Sequence, residues 1–314
     1  MWLLYLPLAI PALAGVAARP VAARLEPRQA TWLLTSATVA LAGCSTAALA
    51  LLAAFAVART PALATLGDYS QQVMRRADPI SAAAGTVAAL ALATVVVAVA
   101  VMFRNLARAL AESYRRAGRL NADDGIVVVP GPDIEAYALP GWPGRIVVSG
   151  RLLDHLGNGS RAALIAHERA HLAGRHHLFA AAARLAAAAN PLLLPVARSV
   201  EYTLERWADE HAAAVTGNRR LVAETIGQVA LFASPRRKRP AGATLAISGP
   251  RTPRASMAWA GPVPRRVAAM LTAPPRRRTI LLVASAATVL LAGGAALEAA
   301  RDLHALLELA QAAG

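Results

Sequence analysis

Four stretches of this chain are apolar enough to cross a bilayer as helix, which takes about 17–25 residues. They run over about Trp2–Ala18, Trp32–Val57, Ala82–Phe103 and Thr279–Leu297. Inside hydrocarbon every backbone N–H and C=O must be satisfied within the chain, so runs of this length predict helices. Composition agrees, with 56% hydrophobic and 16% charged residues and a mean hydropathy of +0.44, unusual for a soluble domain. The first run has no basic stretch ahead of it, and Pro7 and Pro11 interrupt its core. It is expected to be an anchor and not a cleaved signal.

Arginine sets the orientation. The net charge is +15, and nearly all of the cations are Arg; the only lysine is Lys238. Arg19, Arg24 and Arg28 follow the first run, Arg104, Arg108, Arg115, Arg116 and Arg119 the third, and Arg276, Arg277 and Arg278 precede the fourth. Cationic loops stay cytoplasmic. The consistent solution is a multi-pass protein of the plasma membrane with the N-terminus outside, the region from about 104 to 278 in the cytoplasm, and the short C-terminal tail outside. The arginines flank apolar runs, and no zinc finger or aromatic RNA-binding motif accompanies them, so the expected partner is the lipid bilayer and direct nucleic-acid binding is not expected. Cys44, the single cysteine, rules out an intrachain disulfide and a thiolate metal cluster.

These features predict a mainly α-helical membrane protein of about four transmembrane helices, with a cytoplasmic mixed α/β domain inserted between the third and fourth. The division is 1–103 (three spans), 104–278 (the domain) and 279–314 (the last span and tail). The domain opens with a polar helix, about Arg104–Leu120. Two β-rich runs follow, Ile126–Val129 and Arg145–Ser149. A helix is expected from near Ser160 through Arg175, and another from near Ser199 to Gly217, a C-terminal glycine stop. Between them, residues 178–200 are apolar but broken by Arg184, Asn190, Pro191 and Pro195, which suggests a re-entrant or interfacial hairpin. Residues 234–264, rich in Pro, Gly and Arg, are expected to form a mobile basic loop.

The chemistry centres on His167-Glu168-Arg169-Ala170-His171. At i and i+4 the two imidazoles share one helix face and can hold a single ion. Such a donor set suits Zn²⁺, one per chain, with a third protein ligand and one open position. Glu168 can then act as general base toward water attacking a carbonyl. The third ligand is expected from the next helix, where Glu205 and Asp209 also stand i, i+4. Glu205 can coordinate, and Asp209 can accept the N–H of a ligand histidine. A metzincin-like spacing, His167-Glu168-x-x-His171-x-x-Gly174-x-x-His177, makes His177 the alternative third ligand, although Arg175-His176-His177 can instead end the helix at its negative pole. The Arg145–Ser149 run could offer a strand edge to an extended peptide, with Glu135–Pro140 as a neighbouring edge. His155 is expected to be structural, and His211 is a weaker candidate for transition-state stabilisation.

Taken together, Ile126–Val129, Ala136-Tyr137, Ser149-Gly150-Arg151-Leu152-Leu153-Asp154, the HExxH pattern, Glu205-x-x-Ala208-Asp209 and Pro264-Arg265-Arg266-Val267-x-x-x-Leu271 resemble the membrane gluzincin peptidases. The layout is closer to the antirepressor type, which includes the β-lactam sensor-transducers, than to the related prenyl-protein/heat-shock type. The resemblance implies a zinc metalloendopeptidase with Glu168 as base and Glu205 as third ligand. It further implies a protein substrate, a winged-helix repressor, and self-cleavage during signal transduction. This chain departs from the sensor members. No penicillin-binding domain is expected after Leu297, and an SxxK acylation motif is impossible because Pro235 stands three residues before Lys238. The alternatives are a broad membrane quality-control protease and a non-catalytic receptor or scaffold with a structural zinc site.

Overall fold

A computed structural model describes residues 6–58, 82–131, 134–232 and 262–273, with isolated positions between 290 and 308. The fourth apolar run and the basic loop at 234–264 fall almost entirely outside the described residues. Three described helices are long and apolar enough to cross a membrane. They belong to α1 (Leu6–Arg24), α2 (Pro27–Ala58) and α3 (Ala82–Arg119). Pro27 opens α2, where its missing N–H costs nothing. The third apolar run and the polar helix expected after it are one continuous helix of 38 residues. Only polarity changes at Phe103-Arg104, and a change of polarity does not interrupt backbone hydrogen bonding.

The polar end of α3 carries a small sheet of β1 (Ile126–Val129), β2 (Ala136–Leu139) and β3 (Arg145–Ser149), in the order β1-β3-β2. β1 runs parallel to β3, and β2 antiparallel, so Val147 lies between Val127 and Tyr137. The expectation of a strand edge at Arg145–Ser149 is therefore corrected: β3 is paired on both sides, and β2 is an outer strand of the sheet, beside the HExxH helix. One sheet face packs Val127, Leu139 and Val147 on Ala117 of α3, and Ser113 Oγ donates to Pro140 O at 2.8 Å. The other face packs Ala136, Ile146 and Val148 on Leu152, Leu156 and Leu164. Leu152 belongs to α4 (Gly150–His155), capped by the Ser149 hydroxyl, Leu156 is the C-cap of that helix, and Leu164 belongs to α5 (Asn158–Ala173). α5 starts two residues before Ser160, with Gly157 at its N-cap.

The broken apolar stretch at 178–200 is a helical hairpin. α6 (His176–Ala189) meets a short 3₁₀ turn at Pro191–Leu193, and α7 (Leu194–Thr216) returns. α7 thus begins five residues before the expected Ser199, and Pro195 is accommodated in its first turn. Gly217 stops α7 with φ +65°, a conformation costly for a residue with a Cβ. Ala180, Ala183, Ala187, Leu193, Val196 and Val200 are buried against Ala18, Val21, Leu25, Leu34 and Leu41 of the α1–α2 pair. At the tip, Asn190 Nδ2 donates to Ser45 Oγ at 3.1 Å. Ser45 stands about five helical turns, or about 27 Å, from the start of α2, so the hairpin follows α2 for most of the thickness of a bilayer core of about 30 Å. α8 (Arg219–Phe232) and α9 (Pro262–Leu271) close the described part. Their apolar faces join α5 and α7 through Ala163, Ala166, Ala212, Val222, Ile226 and Met270.

Candidate metal centre

Two helices build the centre. On α5, the buried residues Ala163, Leu164, Ala166 and Ala170 anchor one face and leave His167 and His171 turned toward α7. On α7, Val200, Leu204 and Ala208 are buried in the same way, and the i, i+4 spacing presents Glu205 and Asp209 to α5. One donor atom from each of His167, His171 and Glu205 lies within 4.8 Å of the other two. His177 stands outside this group. Helix α5 ends at Ala173, Arg175 takes a left-handed conformation, and His176 begins α6. The histidine pair therefore does not close the first helix at its negative pole, as the sequence suggested, but opens the next one.

The distances fit an ion. His167 Nε2 and His171 Nε2 are 3.2 Å apart, and each lies 3.7 Å from a Glu205 oxygen. Ligands at about 2.0–2.1 Å around a tetrahedral zinc stand roughly 3.3–3.4 Å apart, close to these separations. The tautomers fit as well. His167 Nδ1 lies 3.0 Å from Asp209 Oδ1, so Nδ1 carries the proton and the Nε2 lone pair faces inward. His171 Nδ1 lies 2.9 Å from His176 Nδ1. Two imidazole nitrogens and a carboxylate converging on one point form a donor set that a dication satisfies.

Electrostatics complete the site. Arg266, from α9, donates to both Asp209 oxygens at 2.8 and 2.6 Å and lies 2.6 Å from Glu205 Oε2. Burial alone would raise the pKa of Glu205 and Asp209, but the Arg266 charge outweighs it and both stay ionised, Asp209 well below the usual carboxylate range. The same contacts push Arg266 upward against burial. For His167, burial disfavours the cation, yet the Asp209 hydrogen bond and charge prevail and its pKa is raised. His171 is pushed down, first by burial. Glu168 is buried, and its charge acts on both His171 and Arg266. With a dication in place, three carboxylates face one guanidinium and one metal, and the charges balance.

Two participants escaped the sequence reading. Arg266 stood within a noted basic element, but nothing local joined it to residues 57 and 61 positions earlier. His176 was read as a helix terminator, although it is buried and packs at a tilt against Trp207, 4.6 Å between centroids. His155 is exposed, with Nδ1 2.6 Å from Arg151 O. His211 is exposed on α7.

A model of peptidase family M48 matches residues 100–186. No curated protein and no solved structure gave a match. The matched stretch runs from the polar end of α3 through the sheet and α5 into α6. It supports a metallopeptidase of that family, whose members are zinc-dependent, and does not single out the antirepressor subtype. Because the match stops before α7, the contributions of Glu205, Asp209 and Arg266 rest on the tertiary geometry.

Proposed function

We propose that this chain is a membrane-bound zinc-dependent endopeptidase that hydrolyses peptide bonds in a protein substrate. The convergence of His167, His171 and Glu205, with Glu168 adjacent to the first ligand, carries this reading. Bound zinc would act as a Lewis acid toward the scissile carbonyl and acidify the attacking water. Glu168 accepts that water's proton on its carboxylate and returns it to the leaving amine. Asp209 keeps the His167 tautomer. Arg266 engages one oxygen of Glu205 and leaves the other for the ion. A structural zinc site has no use for a carboxylate beside the attacking water, so Glu168 favours the enzyme over a non-catalytic scaffold.

Contacts at the foot of the hairpin support a cytoplasmic site. Arg206 of α7 donates to Ala22 O at 3.4 Å, Thr31 Oγ1 donates to Thr203 Oγ1 at 2.9 Å, and Arg28 lies over Trp207 at 5.7 Å. The arginine-bearing α1–α2 turn lies beside the metal helices, and the positive-inside rule supports a cytoplasmic face for both. A cytoplasmic site suits a soluble regulatory substrate such as a winged-helix repressor, with self-cleavage as part of the response. Broad quality-control proteolysis uses the same chemistry.

The test compares Glu168→Gln with wild type in membranes. We expect zinc content to be kept and cleavage of repressor or membrane-protein substrates to fall by about 10²–10⁴. Undiminished cleavage by the variant ends the proposal.

A further inference from the structure

The two ligand histidines are supported differently. Asp209 supports His167 with a charged carboxylate 3.0 Å from Nδ1, whereas His171 meets another imidazole, His176 Nδ1, at 2.9 Å. Two ring nitrogens at this distance share one proton, so one donates and the other accepts. For His171 Nε2 to face the ion with its lone pair, the proton must sit on His171 Nδ1 and His176 Nδ1 must accept it.

The fold holds His176 firmly for this contact. His176 is 2% exposed, opens α6, and packs its ring at a tilt against Trp207, which also packs against Phe179. Its far nitrogen, Nε2, is buried with no hydrogen-bond partner among the described residues. That nitrogen lies against Gly174, where an added Cβ would fall 2.5 Å from it. The glycine between the metal helix and α6 is thus what lets the ring close on His171. A neutral acceptor also suits the charge count, since a fourth carboxylate would leave the loaded site net negative.

We propose that His176 is a positioning residue of the metal centre, whose Nδ1 accepts the His171 Nδ1–H and keeps the His171 Nε2 lone pair on the ion. The role rests on the zinc reading above. A hydrogen-bond acceptor at this point contributes to metal affinity as well as to packing, and the two contributions separate by substitution. In His176→Asn, Oδ1 takes the place of Nδ1 and the acceptor remains. In His176→Phe the ring packing on Trp207 remains and the acceptor is lost. In His176→Gln a polar acceptor is carried one bond too far.

The experiment measures zinc dissociation constants of the purified full-length chain by competition with a chromogenic chelator. Loss of such an outer partner weakens metal binding about 10–100-fold, so we expect that loss in His176→Phe and His176→Gln, with His176→Asn within about threefold of wild type. If His176→Phe cannot be purified folded, His176→Gln against His176→Asn decides. Zinc binding by His176→Phe or His176→Gln equal to wild type, or a His176→Asn variant as weak as His176→Gln, overturns the role while leaving the zinc site standing. A wild-type chain that binds no zinc overturns both.

Discussion

His167 and Asp209 stand on different helices, 3.0 Å apart from Nδ1 to Oδ1, and this pair turns Nε2 of the first histidine toward the candidate metal centre. The carboxylate raises the His167 pKa despite burial. Protons and metal therefore compete for this ring at higher pH than at an ordinary histidine. Zinc affinity should begin to fall on acidification while still above the usual value of about 6.5. Asp209→Asn should weaken zinc binding about 10–100-fold and move that onset to lower pH. Zinc titrations across neutral and mildly acidic pH check both, and an onset unchanged by Asp209→Asn argues against the pair.

The third ligand is decided by comparing Glu205→Gln with His177→Ala. Glu205 lies within the donor group and His177 outside it. Glu205→Gln should lose stoichiometric zinc during purification, while His177→Ala should keep one ion per chain. Metal analysis of the two proteins with the reverse result would restore the metzincin-like arrangement.

Arg266 bridges the carboxylates of Glu205 and Asp209 on α7. Removing one partner of a buried ion pair costs about 3–5 kcal/mol, because the remaining charge is left uncompensated. Arg266→Met should lower thermal stability by that order in the metal-free protein and by less with zinc, which replaces the lost positive charge. Folding lowers the pKa values of Asp209 and Glu205. The clamp therefore contributes fully at neutral pH and fades only as pH falls below about 4. Unfolding scans with and without zinc test the ordering, and equal losses in the two states would contradict it.

The depth of the α6–α7 hairpin can be measured with single cysteines in a Cys44→Ala background. Leu192, at the tip, is 48% exposed in the folded chain, but its neighbour Asn190 bonds Ser45 deep along α2. Leu192→Cys should resist a membrane-impermeant maleimide even in inside-out vesicles, whereas His211→Cys, exposed beyond the foot of the hairpin, should label readily. Equal labelling would place the tip in water.

Much of this architecture was legible in order along the chain. β1 and β3 fall on the predicted runs because runs of β-branched residues and flanking Gly and Pro are local signals. The i, i+4 pairs His167/His171 and Glu205/Asp209 are equally local, since helical periodicity alone puts each pair on one face. The strand pairing was harder to read. Nothing in Arg145–Ser149 says that it is the central strand, because pairing depends on partners on both sides.

What the sequence by itself determined, then, was the three long apolar helices among the described residues and the spacing of the His167/His171 and Glu205/Asp209 pairs, both consequences of order within the helices themselves. Tertiary structure decided what those patterns meet. It ran the 178–200 hairpin along α2, brought Arg266 onto Glu205 and Asp209, and turned His176 inward onto His171. Each of these contacts joins residues on separate elements and is selected by the charge and packing around it, and no periodicity along the chain encodes such a choice.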